Sequence, residues 1–151
     1  YIVADGKGIL AADESSGTIK KRFDSIGVES TEENRRDFRE ILFRSSSMTE
    51  AIGGVILFDE TLRQNSSDGH PMREVIIGQK SLPGIKVDQG VRPLIDGSSE
   101  TITTGLDGLD KRCNEYNKLG AKFTKWRAVI TIRDNELPSD DCINKNIFCK
   151  N

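Results

Sequence analysis

Four short strand-like stretches, at residues 8–12, 55–58, 84–87 and 123–130, are separated by helix-patterned segments. This alternation limits the chain more than any other feature. The first, GILAA, is almost wholly apolar, as a strand reads when both faces are covered. After it, Ile19, Phe23 and Ile26 fall at i, i+4 and i+7, a helical stripe that Gly27 ends. Ser30 and Glu33 form a capping box that predicts a second helix. Its buried side is expected to be Phe38, Ile41 and Leu42, with Arg35, Arg36 and Arg39 on the other side. Residues 64–70 read as loop, and Pro71 opens a short helix to about Lys80. Residues 96–108 read as an irregular excursion. Leu109, Cys113 and Tyr116 mark a further helix that stops at Gly120. Strand, helix, strand, helix, strand, helix, strand is the order of a parallel α/β sheet. Residues 133–151 are polar and are expected to add no closing element.

Composition narrows the classes of function. The chain has 151 residues, 30% charged and 35% hydrophobic, with a net charge of −2, which suits one soluble domain. Acids and bases are mixed along it, unlike the basic excess of a nucleic-acid binder. It holds no apolar run long enough to span a membrane. Tyr1 in place of Met suggests that the true start lies upstream, and no signal-peptide pattern is visible. Cys113, Cys142 and Cys149 include no CxxC pair, and the single His70 completes no usual zinc set. Cytoplasmic localisation is the expectation.

Parallel α/β folds place their chemistry at the carboxyl ends of strands. The first strand ends on Asp13. The third holds Lys86, between Ile85 and Val87. The fourth holds Lys125 and Arg127, two apart and so on one face, with Trp126 on the other. A lysine inside an apolar strand is costly unless an anion meets it. Each has a simpler alternative: Asp13 as a turn former, Lys86 as an edge-strand lysine, Lys125 with Arg127 as the solvated side of an amphipathic strand. Arg22 and Arg35 fit solvated helix faces on pattern alone. Ser15, Ser16 and Thr18 are caps for the helix beginning near Gly17, although a helix N-terminus also attracts phosphate.

Taken in order, GILAADESSGTIKKR, STEENRR, GGVILFDETL, GIKVDQG, TTGLDGLDKRC and GAKFTKWRAVI strongly resemble class I fructose-bisphosphate aldolases. The resemblance implies the N-terminal half of a (β/α)8 TIM barrel, about four parallel strands with helices, over residues 1–132, with 133–151 a divergent or truncated end. It implies reversible cleavage of fructose 1,6-bisphosphate to dihydroxyacetone phosphate and glyceraldehyde 3-phosphate, in glycolysis and gluconeogenesis, through a lysine Schiff base, with no metal or other cofactor. The family usually forms a homotetramer. By the same resemblance Asp13 and Lys125 are catalytic, and Lys86, Arg22, Ser15, Thr18, Arg35 and Arg127 bind substrate.

The chemistry accounts for those residue types. Breaking C3–C4 needs an electron sink at the ketone carbon, which a lysine imine supplies. The C4 hydroxyl must lose a proton, so a carboxylate is needed near it, and two phosphates need cations and amides. In the family the imine-forming lysine and the main acid/base glutamate lie on later strands, so residues 1–151 by themselves are expected to be inactive. The competing expectation is a truncated, non-catalytic protein that associates with full-length subunits or cytoskeletal partners. A different Schiff-base aldolase is disfavoured by AADES occurring together with KWR.

Overall fold

The computed structural model describes residues 1–133 and 136–147. In chain order the strands are β1 (Gly8–Ala12), β2 (Ile52–Leu57), β3 (Leu82–Lys86), β4 (Val91–Pro93), β5 (Thr101–Thr103) and β6 (Phe123–Lys125). The helices are α1 (Ser16–Asp24), α2 (Glu32–Phe43), α3 (Met48–Ala51), α4 (Asp59–Arg63), α5 (Met72–Gly78), α6 (Leu109–Lys118) and α7 (Asp140–Ile147). The chain forms two compact units, one of residues 1–86 and 114–125, the other of 87–113 and 126–151.

The first unit is built on a sheet of order β1-β2-β3-β6, with every neighbouring pair parallel. Alternation along the strands sorts its side chains into two faces. On one, Ala12, Val55, Leu57 and Ile85 are buried, and α3, α4 and α5 pack against β2 and β3. On the other, Ile9 is 45% exposed, and Ile56, Lys86, Phe123 and Lys125 are half-buried. Two glycines make this second face possible. A Cβ on Gly84 would lie 2.3 Å from the Phe123 ring, and one on Gly54 3.1 Å from it. Phe123 therefore lies across two neighbouring strands where only glycine leaves room.

Helix ends are set by local chemistry. Ser15 caps α1, its hydroxyl accepting from the Thr18 amide, and Lys21 and Arg22 occupy the last turn, where the helix dipole favours cations. Ile19 and Phe23 are buried as expected, and Phe23 meets Phe38 edge-on at 5.7 Å. Ile26, expected on the same stripe, is 70% exposed, because α1 ends at Asp24 and Gly27, at φ +68°, turns the chain away.

The second helix differs from expectation in cap and in face. Its cap is Thr31, which accepts from the Asn34 amide at 3.1 Å. Its buried residues are Arg39, Glu40 and Phe43, while Ile41 is 72% exposed. The inward turn of Arg39 and Glu40 is stabilised by polar partners: the Glu14 carbonyl for Arg39, and Arg44 with Ser67 for Glu40.

In the second unit β4 and β5 form an antiparallel ribbon, so the 96–108 stretch is more ordered than expected. The expected strand at 123–130 ends at Lys125. The segment after 132 does hold an element, α7. Ser139 starts it, its hydroxyl accepting from the Cys142 amide at 3.1 Å while its own amide and hydroxyl donate to the buried Glu100 at 2.7 Å each. The Ser139 hydroxyl, then its amide, hold the Glu100 carboxyl below the usual range, and burial pushes the Cys142 thiol up. Cys149 lies outside the described residues, as do the other residues of 148–151 and 134 and 135.

Candidate active site

The carboxyl ends of β1, β3 and β6 bring three of the expected residues to one edge of one sheet. Lys125, the last residue of β6, donates from Nζ to Asp13 Oδ2 at 2.6 Å. Asp13 follows β1 directly, 112 residues earlier in the chain. The side chains retain 26% and 12% exposure, so the pair is shielded yet reachable. Lys86 ends β3 in direct register with Lys125. Sheet geometry thus sets two lysines side by side, with Lys125 bonded to Asp13.

One residue on, Glu14 binds the Arg22 guanidinium, which is 57% exposed. Ser15 and Thr18 lie together at the start of α1, their hydroxyls 3.1 Å apart and both exposed. The opening of α1 thus carries two hydroxyls and, a turn further, an arginine already neutralised by a carboxylate. Arg35 is held more firmly. Its Nε and Nη2 donate to the two oxygens of Glu60 at 2.9 and 2.6 Å, and its Nη1 donates to the Ser30 carbonyl at 2.6 Å. The guanidinium hydrogen bonds hold the Glu60 carboxyl below the usual range, and Glu60 in turn raises Arg35. Arg127 lies beyond β6, exposed, in the second unit, where its carbonyl accepts from the Thr103 hydroxyl at 2.8 Å.

Sequence reasoning missed two members of this charged network, Arg39 and Glu60. The signal for Glu60 was the acidic pair Asp59-Glu60 just after the second strand. For Arg39 it was the i, i+4 spacing from Arg35, which puts both arginines on one helix face. Among the described residues no group of three or more metal-ligating side chains comes together, and no helix is long and apolar enough to cross a membrane.

A parallel sheet with helices packed on one face, a second face of mixed apolar and charged side chains, and ionisable groups at the strand ends defines an α/β-barrel type of protein. The chain belongs to the class I fructose-bisphosphate aldolase family, whose model matches residues 1–149. It is 53% identical to "Fructose-bisphosphate aldolase 5, cytosolic" of Arabidopsis thaliana, over 97% of this chain and 40% of that protein. It is 55% identical to "Fructose-bisphosphate aldolase B" of Ovis aries, over 96% of this chain and 40% of that one. Among solved structures, a Plasmodium falciparum fructose-bisphosphate aldolase in complex with TRAP and an inhibitor superposes with a TM-score of 0.90 at 47% identity, covering 95% of this chain and 42% of that chain. The chain thus spans about two fifths of the length of the curated relatives it matches.

Proposed function

We propose that these residues are the N-terminal part of a cytoplasmic class I aldolase whose complete barrel cleaves fructose 1,6-bisphosphate reversibly. The observation that carries the reading is the Asp13–Lys125 pair, 2.6 Å apart at the carboxyl ends of two parallel strands. In cleavage the C4 hydroxyl gives up its proton, C4 becomes a carbonyl, and the C3–C4 electrons pass to the protonated imine at C2. Asp13 lies by that hydroxyl. Lys125 orients Asp13 and assists departure of the aldehyde half, and Lys86 adds a second cation one strand away. Ser15, Thr18 and Arg22, at the opening of α1, take one phosphate. Arg35 and Arg127 supply further phosphate contacts, Arg35 by sharing its guanidinium with Glu60. The imine-forming lysine and main acid/base glutamate belong to later strands of the barrel. The Arabidopsis relative's name supports the cytoplasmic assignment, and family membership favours a homotetramer.

The test is cleavage of fructose 1,6-bisphosphate by the full-length polypeptide that carries this sequence, with borohydride trapping of the imine. A folded polypeptide that neither cleaves the sugar nor traps it contradicts the reading.

A further inference from the structure

Arg39 is the largest fully buried side chain among the described residues. Its Nη2 donates to the Glu14 main-chain carbonyl at 2.5 Å. Nη1 comes only within 3.6 Å of Glu60 Oε1, and the guanidinium faces the Phe58 ring at 5.9 Å. Neither Nε nor Nη1 finds an acceptor among the described residues. Burial pulls Arg39 below the usual arginine range, with Glu14 and Glu60 acting in the opposite direction.

A buried, under-bonded guanidinium is costly to keep. Each nearby carboxylate has a second cation, although Glu14 Oε2 is buried without a hydrogen-bond partner. Glu60 is held through both oxygens by Arg35, and Glu14 is paired with Arg22. Removing Arg39 still leaves each acid with one cation, so the loss of stability is expected to be smaller than for breaking an isolated buried pair. Among the described residues, the one short bond Arg39 makes is to a main-chain oxygen in the turn between β1 and α1. Asp13 lies just before that peptide. Ser15, the cap of α1, lies just after it.

We propose that Arg39 is a positioning residue, which fixes the turn between β1 and α1 through the Glu14 carbonyl and thereby holds Asp13 on Lys125. The fold keeps a costly buried cation because the turn must be held in one place. This inference rests on the aldolase reading. A misplacement of about 1 Å at a reacting group costs about a hundredfold in rate, so a small relaxation of the turn is enough to be read.

R39M and R39K in the full-length polypeptide provide the test, with kcat, KM for fructose 1,6-bisphosphate and melting temperature measured for each. For R39M, kcat is expected to fall about tenfold to a hundredfold, KM to change by less than about threefold, and the melting temperature to fall only slightly, so that the enzyme is fully folded at the assay temperature. R39K, which keeps one donor for the Glu14 carbonyl, recovers part of kcat. An R39M variant with parental kcat overturns the proposal. So does a marked fall in melting temperature in both variants with kcat following it, since Arg39 would then be holding the fold rather than the turn. A parent that cleaves nothing removes the aldolase reading and this inference together, whereas an active parent with an indifferent R39M removes this inference alone.

Discussion

Arg35 already has a carboxylate clamped across its guanidinium, so a phosphate reaching it competes with Glu60 or shares the site with it. The E60Q variant separates structural from ligand-binding roles at this position. With the carboxylate gone, the nearly buried Arg35 and the fully buried Arg39 lose their shared anion, and about 3 kcal/mol of stability is expected to go with it. The pH dependence follows from the direction of the shift. The folded-state Glu60 carboxyl is held below its ordinary range by the Arg35 hydrogen bonds. Its contribution is therefore fully present above the unfolded glutamate value, about 4.3, and is lost as pH falls through the lower folded value. Melting curves should show the parent well above E60Q at pH 7 and the gap closing only in more acid solution. At this scale Asp13, at the end of an apolar run, and Lys125, read as lying within one, stood out in the sequence, because an ionisable group in such a place is costly unless an opposite charge or a ligand meets it. Arg39 and Glu60 were not. The Asp59-Glu60 pair and the i, i+4 spacing of Arg35 and Arg39 point to them only weakly, because three arginines on one helix do not say which turns inward, and the partners of Arg39, a backbone carbonyl and an acid, both 21 or more residues away, leave no local trace.

At the scale of elements, α2 shows where pattern reading stops. Its apolar stripe runs through Phe38, Ile41 and Leu42, yet Arg39, Glu40 and Phe43 are the buried residues, because polar partners outside the helix reward a different rotation. The cap moved with it. T31A is expected to cost about 1 kcal/mol and S30A less, a ranking that paired thermal melts can check and that reverses if Ser30 is the cap. The strands were easier to place, since a short continuous apolar run bounded by turn residues is a local signal. What no single strand shows is that Phe123 lies across Gly54 and Gly84. G84A drives a methyl into that ring and is expected to destabilise by about 1–3 kcal/mol, with F123L restoring part of the loss in the double variant. Additive losses in the double variant would mean that the ring and the glycine do not meet. The ribbon β4–β5 and helix α7 were missed because their stabilising contacts, such as Glu100 with Ser139, join residues 39 apart.

At the scale of the whole molecule, family membership was legible because six motifs stand in order along the chain. The sheet carries the expectation that residues 1–151 do not act alone. One face is packed by helices. The other presents Ile9, Ile56, Phe123 and two strand-end lysines, the surface that a closed barrel turns to its interior. The isolated polypeptide is expected to show no cleavage and to associate or bind hydrophobic dyes. A monodisperse, cooperatively melting monomer would argue that this face is covered in some other way. Under the proposed function, Asp13 and Lys125 work as one unit at the mouth of the complete barrel. The most direct measurement is kcat of D13N, K125M and D13N/K125M in the full-length polypeptide. Each single change is expected to lower kcat at least about a hundredfold, and the double variant to be no worse than the poorer single. Losses that multiply in the double variant, or singles that keep the parental rate, would contradict their working as one unit.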